Sequence, residues 1–289
     1  MAEMKSAQFY FDKGIQSMES NNPKEAIDYF SQALKQDPEG TGALNNRGNA
    51  YYKLGMLKEA LNDYSSTIQV NKKDYNAYYN RANVKDDLGE YDDAIQDFNK
   101  AIELNPKMAE AFHNRGCTKH NLGEDELSIE DFETAINLRP EYDEAYYSLG
   151  NAHFHLGKLE EAIEKYDKAI ELKPNYRKAF YNRGTALNDL ARYSDAIEDF
   201  NFSIEIKETS DAYHNRGLSK FKLGATEAAI EDFDRSIELN DKNENAYCNR
   251  GIAKHELGLF EEACLDWKKA CELGDEDACF NLKDFCNKN

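Results

Sequence analysis

No run of about 18 consecutive apolar residues occurs in this sequence, so no membrane-spanning helix is available to it. The opening stretch Met1–Ser6 lacks the apolar core of a secretory signal, and a cytoplasmic location is the default expectation. Positive charge is scarce: 36 basic against 55 acidic residues give a formal net charge of -19. Phosphate binding needs clustered lysine and arginine, so nucleic acid is excluded as a partner, and a membrane is not expected as one either. Glycine-rich phosphate loops, G-x-S-x-G elbows and H-E-x-x-H pairs are all missing. No catalytic residue is therefore expected, and no enzyme activity.

What is present is periodic. Aromatic residues make up 12% and hydrophobic residues 40% of the chain, too many for a disordered one, while a mean hydropathy of -0.84 points to much solvated helical surface. Gly14, Gly48, Ala82, Gly116, Gly150, Gly184, Gly217 and Gly251 follow one another at intervals of 34 residues, once 33. Twelve residues after each stand Ala26, Ala60, Ala94, Ser128, Ala162, Ala196, Ala229 and Ala263. Four further on are Phe30, Tyr64, Phe98, Phe132, Tyr166, Phe200, Phe233 and Trp267. With the glycine column as position 8, the repeats run 7–40, 41–74, 75–108, 109–142, 143–176, 177–209, 210–243 and 244–277.

Within each repeat the 3.6-residue spacing of apolar positions predicts two short helices, A near positions 1–14 and B near 18–31. Glycine at position 15 closes helix A as a left-handed cap. Glycine at position 8 lies inside helix A, where it costs about 0.5–1 kcal/mol, so close approach of A and B must offset it. Ala at position 20 is expected to face it.

These columns, together with Pro38, Pro106, Pro140 and Pro174 at position 32, resemble the tetratricopeptide-repeat family over nearly the whole chain. The resemblance implies an all-α fold: a right-handed superhelical solenoid of antiparallel helix pairs, one domain over residues 1–289, with residues 278–286 as a capping helix. Repeat 1, with Phe9-Tyr10-Phe11, departs from the pattern as a terminal unit does. Repeat 6 is one residue short, which predicts a locally altered twist.

Position 7 carries Arg47, Arg81, Arg115, Arg183, Arg216 and Arg250, and position 23 carries Asp63, Asp97, Asp131, Asp199, Asp232 and Asp266. Where one member changes the other does too: Leu149 comes with Lys165, and Lys13 with Tyr29. An Arg–Asp pair bridging A to B is the structural expectation. Of the six cysteines, Cys248, Cys264, Cys271, Cys279 and Cys286 lie at the C-terminal end. Cys264 and Cys271 fill columns held elsewhere by Ile95 and Ile102, which fits small core thiols in a reducing compartment. Alternatively, a final helix antiparallel to helix B of repeat 8 brings Cys271 to Cys279 and Cys264 to Cys286. The segment around them also resembles disulfide-bearing helical repeats of secreted bacterial relatives, which would imply an extracytoplasmic location.

By the family resemblance helices A line a concave groove, to which positions 2, 5, 6, 9, 12 and 13 contribute. Position 6 carries Asn46, Asn80, Asn114, Asn182, Asn215 and Asn249, and position 9 adds Asn49, Asn83 and Asn151. Position 5 supplies Tyr79, Tyr147, Tyr181, His113 and His214. A carboxamide matches the N–H and C=O of an extended peptide, and the column resembles the asparagine ladder of O-linked N-acetylglucosamine transferases. Equally, the same amides could buttress neighbouring helices. The family's clamp for acidic chaperone tails needs Lys at position 5 and Arg at position 6, and neither occurs here. Asp86, Asp87, Glu110, Glu144, Asp189 and Asp211 outnumber Lys53, Lys178 and Lys222 in the groove columns. A neutral or basic segment of a protein partner is the expected ligand, in an adaptor role, with a self-associating scaffold as the second reading. His113 and His120 lie seven apart and lack further ligands at suitable spacing, so no metal and no other cofactor is expected.

Overall fold

The computed structural model describes residues 6–286; the opening Met1–Lys5, scanned above for a leader, lies outside them. The described chain contains helices and no strand, and none of its helices is long and apolar enough to cross a membrane. It divides after Glu141 into two compact units.

The first unit holds four hairpins. Helices α1 (Ala7–Glu19), α3 (Thr41–Lys53), α5 (Tyr75–Asp87) and α7 (Ala109–Asn121) are the A helices. Their partners are α2 (Pro23–Gln36), α4 (Leu57–Val70), α6 (Tyr91–Leu104) and α8 (Asp125–Leu138). The second unit repeats the scheme with α9 (Asp143–His155), α11 (Arg177–Asp189), α13 (Ser210–Lys222) and α15 (Glu244–Glu256) against α10 (Leu159–Leu172), α12 (Tyr193–Ile206), α14 (Thr226–Leu239) and α16 (Phe260–Leu273). In each unit a hairpin packs on the next through its B helix and the following A helix. Where repeat 6 falls a residue short, the chain leaves α12 through an extended Lys207, and Thr209 at once accepts from the Ala212 N–H to start α13.

Close approach of A and B works through the ring at position 24 more than through Ala at position 20. A Cβ added to Gly116 would stand 2.7 Å from the Phe132 ring, and one at Gly48 the same distance from Tyr64. The ring slides under the bare backbone of helix A and is sealed from water: Phe30, Phe98, Phe200 and Phe233 are fully buried, and Tyr64 and Tyr166 nearly so. Burial of such a side chain stabilises by about 1.5–3 kcal/mol, more than the glycine costs.

All six Arg–Asp pairs form, and each guanidinium reaches further than its own hairpin. Arg47 donates from Nε and Nη2 to both carboxylate oxygens of Asp63 at 2.8 Å, and from Nη1 to Ser31 Oγ of the preceding helix B at 3.1 Å. Arg115 repeats this with Asp131 and Asn99, Arg216 with Asp232 and Asn201, and Arg250 with Asp266 and Asp234. The residue at position 25 of the preceding repeat is thus a third member of the motif. Lysines at position 11 add a second cation, as Lys85 on Asp97 at 2.7 Å and Lys119 on Asp131 at 2.8 Å. The paired aspartates are 5% exposed or less. In repeat 5, one of the two without the pair, Leu149 is buried and Lys165 turns to Glu164.

The C-terminal segment differs from a single cap over 278–286. Helix α17 (Glu276–Asn281) starts earlier, because the Asp275 carboxylate accepts the Ala278 N–H, and it passes into a π turn over Leu282–Cys286. Disulfides join Cys264 to Cys286 and Cys271 to Cys279, with Cα separations of 5.8 and 4.7 Å. The core-thiol alternative is thereby overturned for these four, while Cys117 and Cys248 stay free.

Six position-15 glycines adopt positive φ as expected, from Gly157 at 71° to Gly224 at 80°. Repeat 6 holds the same conformation with Ala191, at φ 57°. A methyl side chain is strained there by about 1–2 kcal/mol, so Ala191→Gly should raise the urea-unfolding free energy by about 1 kcal/mol. Conversely, Arg115→Met should lower it by about 3 kcal/mol, since buried Asp131 loses both hydrogen bonds of its arginine fork and keeps only Lys119. A double-mutant cycle with Asp131→Leu should show strong coupling, and additive losses would dismiss the pair as a stabilising unit.

Candidate functional site

Successive A helices carry the columns singled out for binding, and the structure shows what holds each side chain. Position-5 rings lie on the position-24 rings of their own repeat. Centroid separations are 6.0 Å for Tyr79 and Phe98, 5.8 Å for His113 and Phe132, 6.0 Å for Tyr147 and Tyr166, and 5.9 Å for Tyr181 and Phe200. In these tilted contacts the hydroxyls of Tyr79, Tyr147 and Tyr181 each meet the amide at position 6 of the next repeat.

The donors of that amide are committed to the preceding repeat. Asn114 Nδ2 donates to Tyr79 Oη at 2.9 Å and to Asn83 Oδ1 at 2.8 Å, and Asn182 Nδ2 to Tyr147 Oη at 3.0 Å and Asn151 Oδ1 at 2.8 Å. Asn80 donates to Asn49 at 3.1 Å, Asn215 to Tyr181 at 3.0 Å, and Asn249 to His214. Asn46 alone in the column bonds its own helix, at Gly42 O, because the preceding repeat offers Phe11 at position 5. Position 9 is fixed from the B side as well: Tyr64 Oη donates to Asn49 and Tyr166 Oη to Asn151. The buttress is therefore present in the structure.

Its consequence for a ligand is directional. With both N–H groups of Asn182 used within the fold, its carboxamide oxygen is what remains, whereas Asn49 and Asn151 each have an oxygen taken by two donors, and the oxygens of Asn114 and Asn215 lie 3.0 and 3.2 Å from the Nδ1 atoms of His113 and His214. All of these asparagines are half-buried. Sequence reasoning missed three supporting bonds: Thr118 to Asp86 at 2.6 Å, Tyr52 to Asp87 at 2.7 Å and Ser219 to Asn188 at 2.7 Å. A signal existed for one contact, since the two tyrosines of column 24 are each matched by Asn at position 9 of the same repeat. Glu110 of the acidic set is paired with Arg139 rather than open.

His214 belongs to this network: Asn249 Nδ2 lies 2.8 Å from its Nε2, and Asn215 Oδ1 lies 3.2 Å from its Nδ1. That arrangement selects a neutral ring with the proton on Nδ1. Burial pushes the imidazole below its ordinary range, against a smaller opposing pull from Asn215 and Asp211. The unfolded chain therefore takes up the proton first. Stability is full above the unfolded value of about pH 6.5 and falls as pH drops toward the depressed folded value. His214→Gln should flatten that slope in urea unfolding, and an unchanged slope would remove His214 as its source.

Family comparison agrees with this architecture. The tetratricopeptide-repeat model matches residues 42–74 and 75–108, and a second TPR-repeat model matches 118–157, 150–190 and 217–258, together more than half of the chain. Among solved structures, MamA is 27% identical with a TM-score of 0.53, covering 60% of this chain and 94% of its own. A tetratricopeptide-repeat protein from Parabacteroides merdae is 21% identical with a TM-score of 0.63, covering 86% and 98%. YrrB, described as a TPR protein with an unusual peptide-binding site, is 24% identical with a TM-score of 0.54, covering 64% and 96%. The latter two likenesses bear on fold alone. No curated protein matches the sequence significantly. On the family match and the stacked hairpins of each unit, the chain belongs to the tetratricopeptide-repeat family and is built as a protein-interaction scaffold.

Proposed function

We propose that the protein is a non-enzymatic adaptor that holds an extended, neutral or basic segment of a partner protein against its A helices. One observation carries this reading: Asn80 and Asn182 spend their amide donors on the fold and keep an oxygen, beside Asp86 and Asp87 on α5 and Asp189 on α11. Asn46, Asn80, Asn182 and Asn249 supply carboxamide oxygens, while Asn49, Asn83 and Asn151 turn theirs into the fold and keep N–H groups; Asp86, Asp87, Glu144, Asp189 and Asp211 supply carboxylates. Acceptors at close spacing suit the N–H groups of a peptide backbone and the cations of basic side chains, and they repel an acidic tail. The rings of Tyr79, Tyr147, Tyr181 and His113 add apolar contact beside them. Two disulfides in the last repeat fit an oxidising compartment better than a reducing cytoplasm.

Self-association is the second reading. Its support lies at the C-terminal end, where Leu265 is 68%, Phe280 62% and Phe260 59% exposed, whereas Phe11 of the first repeat packs on Phe30. Light scattering that rises with protein concentration would favour it.

Selection of a random-peptide phage library on the immobilised protein should enrich neutral or basic sequences. Combined replacement of Asn80, Asn114 and Asn182 by alanine should then weaken the selected peptides while helicity by circular dichroism persists. Each lost internal bond should also cost about 0.5–1.5 kcal/mol of stability. Reduced stability with unchanged peptide affinity would confine these amides to buttressing.

A further inference from the structure

Within the first unit a cavity of about 400 Å³ opens among α3, α5 and α7. The rings of Tyr52, Tyr79 and Phe98 line it together with the carboxylates of Asp86 and Asp87, and none of its lining residues is basic. The carboxylates are held from both sides. Tyr52 of α3 donates to Asp87 Oδ2 at 2.7 Å, and Thr118 of α7 donates to Asp86 Oδ1 at 2.6 Å. Each keeps a second oxygen, and neither meets a lysine or arginine among the described residues, unlike the aspartates at position 23. Asn114 spends its donors on Tyr79 and Asn83 of the same wall, so they do not compete for the two carboxylates.

A cavity of the same columns in the second unit gives the contrast. It measures about 270 Å³ and is lined by Phe154, Tyr166 and Tyr181 with Asn151, Asn182 and Thr185, and it carries His155 in the column of Asp87 and no carboxylate. Aromatic walls are thus common to both units, and the acidic pair belongs to one. Aromatic faces attract cations and accept an aliphatic stem, while adjacent carboxylates in a partly dehydrated site strongly favour a positive charge. Burial, reinforced by the charge of Asp87 and opposed by the Thr118 bond, already pushes the Asp86 carboxyl above its ordinary range, a cost that a bound cation relieves.

The geometry points to a recognition pocket for a basic side chain, lysine or arginine, with its cationic head between Asp86 and Asp87 and its stem against Tyr52, Tyr79 and Phe98. The pocket rests on the adaptor reading for the source of that side chain, and it can be probed without a peptide.

The probes are Nα-acetyl-lysine N-methylamide, its arginine counterpart and its norleucine counterpart, titrated into the full chain and followed by NMR. The lysine or arginine compound should bind, the norleucine compound should not, and the better of the two identifies the head group. Asp86→Asn and Asp87→Asn keep an acceptor for Thr118 and Tyr52, and each should weaken binding by about tenfold or more. Asp241→Asn, exposed in the second unit, changes net charge equally and should leave affinity as it is. Equal binding of the norleucine compound, or full affinity in both Asp86→Asn and Asp87→Asn, would overturn the pocket. Binding of the lysine compound alongside a failed peptide selection would uphold the pocket and sink the adaptor reading. Selected peptides that need neither a basic residue nor the two aspartates would do the reverse.

Discussion

A carboxylate taken out of water costs several kcal/mol unless a cation and hydrogen bonds replace its hydration, and this chain buries one in six of its eight hairpins. The arginine at position 7 supplies that replacement with a planar fork matched to both oxygens. Because the third nitrogen of the same guanidinium bonds helix B of the preceding repeat, one side chain couples three helices. An aromatic neighbour lies beside it: Phe112 is 5.4 Å and Tyr213 is 5.1 Å from the respective guanidinium carbons. Register between repeats is thus tied to the pairing within each. Of the two repeats that lack the pair, the fifth packs Leu149 in the arginine's column instead, and in each both members differ together, as expected where half a pair is worse than none.

Columns of identical spacing made the hairpins, the glycine cap and the Arg–Asp bridge legible before any coordinate, since each depends on residues a fixed step apart inside one repeat. What stayed hidden depends on two repeats at once. The third partner of Arg115 is Asn99, and the donors of Asn114 reach 31 and 35 residues back, to Asn83 and Tyr79. Asparagine is compatible with a ligand ladder or a buttress, and only the neighbour's geometry assigns its N–H groups. Ala191 was illegible for another reason: alanine carries no turn signal, so its left-handed conformation is imposed by the flanking helices. The cysteines were readable only conditionally, because their pairing followed from the direction of a final helix that sequence does not fix.

Spending the amide donors on the fold converts a chemically symmetric side chain into a one-sided surface. A free carboxamide accepts and donates alike, whereas one anchored by both N–H groups can only accept. At Asn182 both N–H groups are fixed and the oxygen is left, whereas at Asn49 and Asn151 two donors occupy the oxygen and the N–H groups are left. The bonds that join neighbouring repeats therefore also decide which end of each amide is left over.

Linear arrays come apart from their ends, since an outermost hairpin leans on a single neighbour. Here α17 and the π turn that follows it are tied covalently to α16 at one point each, Cys271 to Cys279 and Cys264 to Cys286. That terminus cannot peel away one helix at a time: α16 and α17 must detach as a block, so unzipping of the array is denied its easiest starting point at the C-terminal edge.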